Sequence, residues 1–224
     1  MSATLVIALH GTRRRSGTEF AERLRDTVAD ALPGVRVELG WVDIHDELLA
    51  ETVQRFDRSV IVPAFLAAGY HVAHDVTAAV GASGGRAVAT PHVGPGLVDA
   101  IADRLRAAGP LGDGVVLAAI GSKRAGATAE VLATAERVAR LVGRPVEAGF
   151  IYASSPSLDE AAARLRARGL TDLTVATHAL CPGLYQDHIA ALGLRAVAEP
   201  IGIHPHLVSA IVERYLDAAR AEAA

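Results

Sequence analysis

Hydrophobic positions fall into two alternating kinds of stretch along the chain. Short apolar runs rich in valine, leucine and isoleucine occupy 5–9, 35–42, 60–64 and 87–90, and again 115–119, 146–151, 173–177 and 196–198. Unbroken apolar runs of this length are the form of strands buried on both faces of a parallel sheet. Between them lie longer stretches with apolar residues three and four apart, as at Phe20, Leu24 and Val28, which is helical periodicity. Ser16 with Glu19, and Ser157 with Glu160, have the spacing of capping boxes and predict helix starts there. A further helix is expected over 47–56. The pattern is that of an α/β chain with eight strands in two sets of four.

The two sets repeat local chemistry as well as order. Leu9-His10-Gly11-Thr12-Arg13 closes the first run of one half, and Ala119-Ile120-Gly121-Ser122-Lys123 closes that of the other. Phe65-Leu66-Ala67-Ala68-Gly69-Tyr70-His71 corresponds to Ala179-Leu180-Cys181-Pro182-Gly183-Leu184-Tyr185. The glycine- and proline-rich stretch 109–114 near the middle is the strongest turn signal in the chain. An internal duplication is therefore expected, with domains at 1–109 and 114–224. Each is a doubly wound parallel sheet, and a ligand cleft is expected between them.

Composition narrows the function classes. With 224 residues, 51% hydrophobic and 21% charged, the chain has ample material for folded cores. The formal net charge of -3 provides no basic surface for a nucleic-acid partner held by phosphate contacts. A single cysteine, Cys181, excludes an internal disulfide and a multi-cysteine zinc site. No apolar run reaches a membrane span and no basic leader precedes the first strand, so a cytoplasmic protein without a membrane partner is expected. Phosphate-cradling and dinucleotide glycine motifs are missing, as is the Gly-x-Ser-x-Gly nucleophile turn.

Nine histidines supply the candidate chemistry. His10, Asp43 and His71 each follow one of the first three strands, so parallel topology brings them to one sheet edge. Singly, each has a plainer reading: His10 as a strand-end residue, Asp43 as the N-cap of the next helix, His71 as the opening of another. Together, two imidazoles and a carboxylate suit a labile divalent first-row metal, with positions left open. His74 and Asp75 lie three and four residues beyond His71, where helical side chains share a face. His45 is expected at the surface.

His10-Gly11-Thr12-Arg13, Asp43 after its strand, and Val62-Pro63-Ala64-Phe65-Leu66-Ala67-Ala68-Gly69-Tyr70-His71 through Asp75-Val76 resemble the class II chelatases of the sirohydrochlorin chelatase type. The resemblance spans essentially the whole chain and is most specific over 65–76. It implies ATP-independent insertion of a divalent metal into sirohydrochlorin, giving siroheme with Fe2+ or a cobalamin precursor with Co2+. Ni2+ would suit the same ligands, and no cofactor beyond the substrate metal is implied. His10 and His71 would be the catalytic and metal-binding residues, with Asp43 as third ligand where the family is expected to carry glutamate. Arg13 would face the substrate carboxylates, while Phe65, Leu66, Gly69 and Tyr70 either lie against the macrocycle or belong to the core. The second half has Ile120 and Tyr185 opposite His10 and His71, so one metal per chain is expected, with the second half a macrocycle-binding wall. A non-catalytic metal or tetrapyrrole carrier would need the same residues. Both a monomer and a homodimer are compatible with the sequence.

Overall fold

A computed structural model describes residues 2–183, 185–194 and 196–223. Its strands fall where the apolar runs predict. The first sheet contains β1 (Thr4–Leu9), β2 (Val37–Trp41), β3 (Ser59–Pro63) and β4 (Ala87–Ala89) in the order β2-β1-β3-β4. All pairs are parallel, with Leu9 opposite Trp41 and Ala8 opposite Pro63. Its helical segments are α1 (Arg15–Ala31), the short α2 (Leu49–Thr52) and α3 (Thr77–Ala82). The second sheet repeats the order as β6-β5-β7-β8, from β5 (Gly114–Ala119), β6 (Val146–Phe150), β7 (Leu173–His178) and β8 (Ala196–Val197). Helices α4 (Val98–Ala107), α5 (Ala125–Val142), α6 (Leu158–Ala167), α7 (Gln186–Ala191) and α8 (Pro205–Ala223) complete the chain.

Both faces of each sheet are covered, as parallel sheets require. Alternation along β1 directs Val6 and Ala8 toward Leu49, Val53, Val76 and Ala79 on one face of the first sheet. In the second, Val116 and Ala118 pack with Leu158, Ala161, Leu165 and Ile189. The α1 face buries Gly17, Ala21, Leu24 and Val28, one residue per turn. Ser157 caps α6 as its sequence predicts, accepting from the Glu160 N–H at 3.2 Å while the Glu160 carboxylate accepts from the Ser157 N–H at 2.7 Å.

Ser16 does not cap α1. That helix starts at Arg15, without a side-chain cap, and the Thr12 hydroxyl accepts from the Arg14 N–H just ahead of it. The helix expected over 47–56 is also shorter: α2 is a single turn continued by a tight turn at Val53–Arg55, and its N-cap is Leu48 rather than Asp43.

Two compact units emerge, each built around one of the two sheets and each completed by a helix from the other half of the chain. One comprises Met1–Gly96 with Ile203–Ala224, the other Leu97–Gly202. Helix α8 thus belongs with the first sheet, where Tyr215 is fully buried and its hydroxyl donates to the Ala3 carbonyl at 2.7 Å. Helix α4 belongs with the second, where it packs on α5 and β7. No helix among the described residues is long and apolar enough to cross a membrane.

Candidate metal centre

In the order β2-β1-β3, the chain leaves the central strand β1 for one neighbour and later returns on its other side. Such a switch point opens a crevice at the carboxyl ends of the strands. His10 directly follows β1, Asp43 lies two residues beyond β2, and His71 follows β3. The loops after β1 and β2 are held together by Gly11, whose N–H donates to Asp43 Oδ1 at 2.8 Å. A Cβ at Gly11 would overlap the Asp43 carbonyl, so only glycine permits this approach. His71 lies in a helical segment that starts at Tyr70, passes through a π-helical turn at Val72–Val76 and continues as α3.

This arrangement places one donor atom each from His10, Asp43 and His71 within 4.8 Å of one another. His10 Nδ1 is 3.4 Å from both Asp43 carboxylate oxygens, and His71 Nε2 is 3.8 Å from Oδ2. The two imidazoles meet edge to face, with ring centroids 4.3 Å apart. His71 Nδ1 lies 2.6 Å from Asp75 Oδ2. A carboxylate at that nitrogen keeps its proton in place and leaves the Nε2 lone pair facing Asp43, an orientation common to metal-binding histidines. Desolvation, reinforced by neighbouring His71, lowers the pKa of His10 below its ordinary value despite the opposing pull of Asp43. A neutral imidazole is the form that can bind a metal or accept a proton.

The other residues singled out by sequence are distributed around this cluster. Arg13 is exposed on the loop between β1 and α1, and Leu66 and Gly69 are half-buried after β3. Phe65 is only 8% exposed, packs in the core and meets the His10 ring edge to face at 5.1 Å. Tyr70 is 56% exposed and stacks on His74 at 4.9 Å. His45 is exposed, stacked on Trp41. Asp75 is the residue that sequence reasoning left without a role. Its four-residue spacing from His71 is visible in the sequence, and the contact itself is seen only in the folded segment. His74 Nδ1 also approaches Asp75, at 3.2 Å from Oδ1.

A sequence profile described as CbiX matches residues 4–108 and matches again over 114–218. The chain belongs to the CbiX family. Among curated proteins no sequence matches. Among solved structures, SirB from Bacillus subtilis with Fe3+ superposes with a TM-score of 0.83 at 19% identity, over 100% of this chain and 98% of that one. The sirohydrochlorin chelatase SirB from Bacillus subtilis subspecies spizizenii in complex with cobalt gives 0.77 at 16% identity, over 98% and 96%. CbiX described as the terminal enzyme of siroheme biosynthesis in denitrifying bacteria gives 0.71 at 24%, over 97% and 99%. At these identities the likeness concerns the fold.

The two CbiX repeats share the scaffold of the centre but not its histidine and carboxylate side chains. Gly121 meets the Tyr152 carbonyl as Gly11 meets that of Asp43, which makes Tyr152 the counterpart of Asp43. Ile120 then stands for His10, Tyr185 for His71 and Ile189 for Asp75. The Tyr185 phenol is pushed above its ordinary pKa chiefly by burial, and donates to the Cys181 carbonyl. Tyr152 is paired with His188 Nε2 at 2.9 Å. His178, the counterpart of Ala64, is buried at the end of β7. Among the described residues, His10, Asp43 and His71 form the one cluster of three or more such side chains able to hold a metal.

Proposed function

We propose that this CbiX protein is a lyase-type sirohydrochlorin metal chelatase, inserting Fe2+ or Co2+ into the macrocycle without ATP. The observation that carries the proposal is the convergence of His10, Asp43 and His71 at three adjacent strand ends. The metal, with Ni2+ as a further candidate, is substrate rather than resident cofactor. Two neutral donors and one carboxylate hold a divalent ion while leaving part of its coordination sphere open for incoming pyrrole nitrogens. Metallation releases two protons from the macrocycle; as the ion passes to the ring, the imidazole nitrogen it leaves can accept one near neutral pH, and the other goes to solvent. His10, with its lowered pKa, is neutral there and available for this role. Asp43 balances the charge of the ion, while Asp75 keeps His71 aimed. Arg13 offers a two-pronged donor to substrate carboxylates, and Tyr70 an exposed ring beside His71. Leu66 and Gly69 shape the floor after β3, and Phe65 supports it from the core.

The second repeat has lost the ligand set and serves to bind the macrocycle rather than a second metal. The same reading places the protein in the cytoplasm.

Purified protein, sirohydrochlorin and each metal ion, mixed without nucleotide, test the proposal through the absorption change of the macrocycle. Multiple turnovers per chain support a chelatase. A change that stops at one equivalent would identify a carrier instead, and an absolute need for ATP would contradict the class.

A further inference from the structure

Ile44 directly follows Asp43 and has a φ of 54°. This is the left-handed region, which β-branched side chains rarely adopt because Cβ crowds the backbone. Among the described non-glycine residues, Ile44 and Ala153 alone have positive φ. They follow Asp43 and Tyr152, the residues whose carbonyls meet Gly11 and Gly121, so they occupy the same place in the two repeats. Both repeats have kept the turn, but only the one with the metal ligands carries a β-branched residue in it.

Core packing does not account for that choice, since Ile44 is 54% exposed. Glycine or asparagine would accept the backbone with less strain and without placing hydrocarbon in water. Tyr70, preceding His71, is likewise 56% exposed. Two of the three metal ligands thus have an exposed, largely apolar side chain as chain neighbour.

We propose that Ile44, together with Tyr70, is an apolar rest for the face of the macrocycle, and that it sets substrate affinity rather than metal affinity. A conjugated tetrapyrrole carries its carboxylates around the rim and presents apolar faces above and below the ring nitrogens. A ring brought over His10, Asp43 and His71 for metal transfer would cover the side chains bordering them. The proposal rests on the chelatase reading for the identity of the ligand.

The test uses the full chain as wild type, Ile44→Asn and Ile44→Leu. Asparagine tolerates the left-handed backbone but removes the apolar surface; leucine keeps that surface without β-branching. Metal-free sirohydrochlorin binding is titrated by absorbance, Co2+ binding is titrated alone, and steady-state metallation gives KM and kcat. Covering the exposed half of one isoleucine side chain predicts that Ile44→Asn weakens sirohydrochlorin binding and raises KM about five- to tenfold. Co2+ affinity and kcat should hold, and Ile44→Leu should bind like the wild type. Unchanged sirohydrochlorin affinity in Ile44→Asn would overturn the proposal. So would an equal loss of Co2+ affinity, which would mean that Ile44 acts by placing Asp43. If the wild type binds sirohydrochlorin without metallating it, the chelatase reading falls while the binding comparison still decides the role of Ile44. If the wild type does not bind it, both fall.

Discussion

His178 provides a quantitative test of how the second repeat is built. The residue ends β7, is 6% exposed, and burial lowers its pKa from 6.5 to about 4. The unfolded chain protonates this imidazole below its ordinary pKa, whereas the folded chain resists until near pH 4. Its neutral burial is therefore compatible with full stability above pH 6.5 and becomes destabilising as pH falls through the window from 6.5 to 4. At about 1.4 kcal/mol per pH unit, the linkage amounts to about 2 kcal/mol between pH 7 and pH 5, and about 3 kcal/mol by pH 4. Urea unfolding at pH 7 and pH 5, on the wild type and His178→Leu, isolates this contribution from that of the other histidines. The variant can be more or less stable overall, since the quantity read is the difference between its pH dependence and that of the wild type. The wild type should lose about 2 kcal/mol more than the variant across that interval. Parallel losses would refute the reasoning and show that His178 titrates normally.

His10→Ala and His71→Ala should each lower the metallation rate at least about 100-fold, the low end of a positioned acid-base contribution, with the fold checked by circular dichroism. Wild-type rates in either folded variant would place the site elsewhere. Asp43→Ala should weaken Co2+ binding more than Asp43→Glu, which keeps the charge, and calorimetric titration separates the two; equal losses would assign Asp43 to holding the Gly11 loop. Asp75→Asn should weaken Co2+ binding by about 10- to 100-fold, as expected when the partner that orients a ligating histidine is altered. His74→Ala should leave that affinity near wild type, and the reverse ranking would rule out the positioning role of Asp75. Co2+ titration of the wild type should saturate at one equivalent per chain, and a second site of equal affinity would contradict the proposal that only the first repeat holds metal.

Local sequence already contains the strands, their grouping into two sets of four and the positions of His10, Asp43 and His71. The reason is physical: a strand covered on both faces must be apolar along its length, and consecutive strands of a parallel sheet end at the same edge. Repeat comparison likewise sets Ile120 and Tyr185 opposite His10 and His71 without any coordinates. The partner of a helix is a different matter. An amphipathic stripe fixes which face of α8 seeks cover, not which sheet provides it, and only tertiary packing joined Ile203–Ala224 to the first unit and Leu97–Gly202 into the second.

The centre divides in the same way. Residue identity and spacing suggested metal chemistry at His10, Asp43 and His71, because their donor atoms belong to the side chains themselves. Aim is a property of the folded backbone. In the helical segment after β3 Asp75 meets His71 Nδ1, and the close approach of Gly11 to Asp43 accompanies the left-handed turn at Ile44. The same limit explains why Ser16 and Ser157, with identical spacing to a glutamate, behave differently. Only Ser157 stands where its helix begins, while α1 starts one residue ahead of Ser16. His178 is by type one of nine histidines and acquires a depressed pKa only through burial at the end of β7. The sequence determined which groups were available and along which strands they lay. Tertiary structure decided their orientation, their desolvation and which sheet each helix covers, because those depend on contacts between segments that no local pattern encodes.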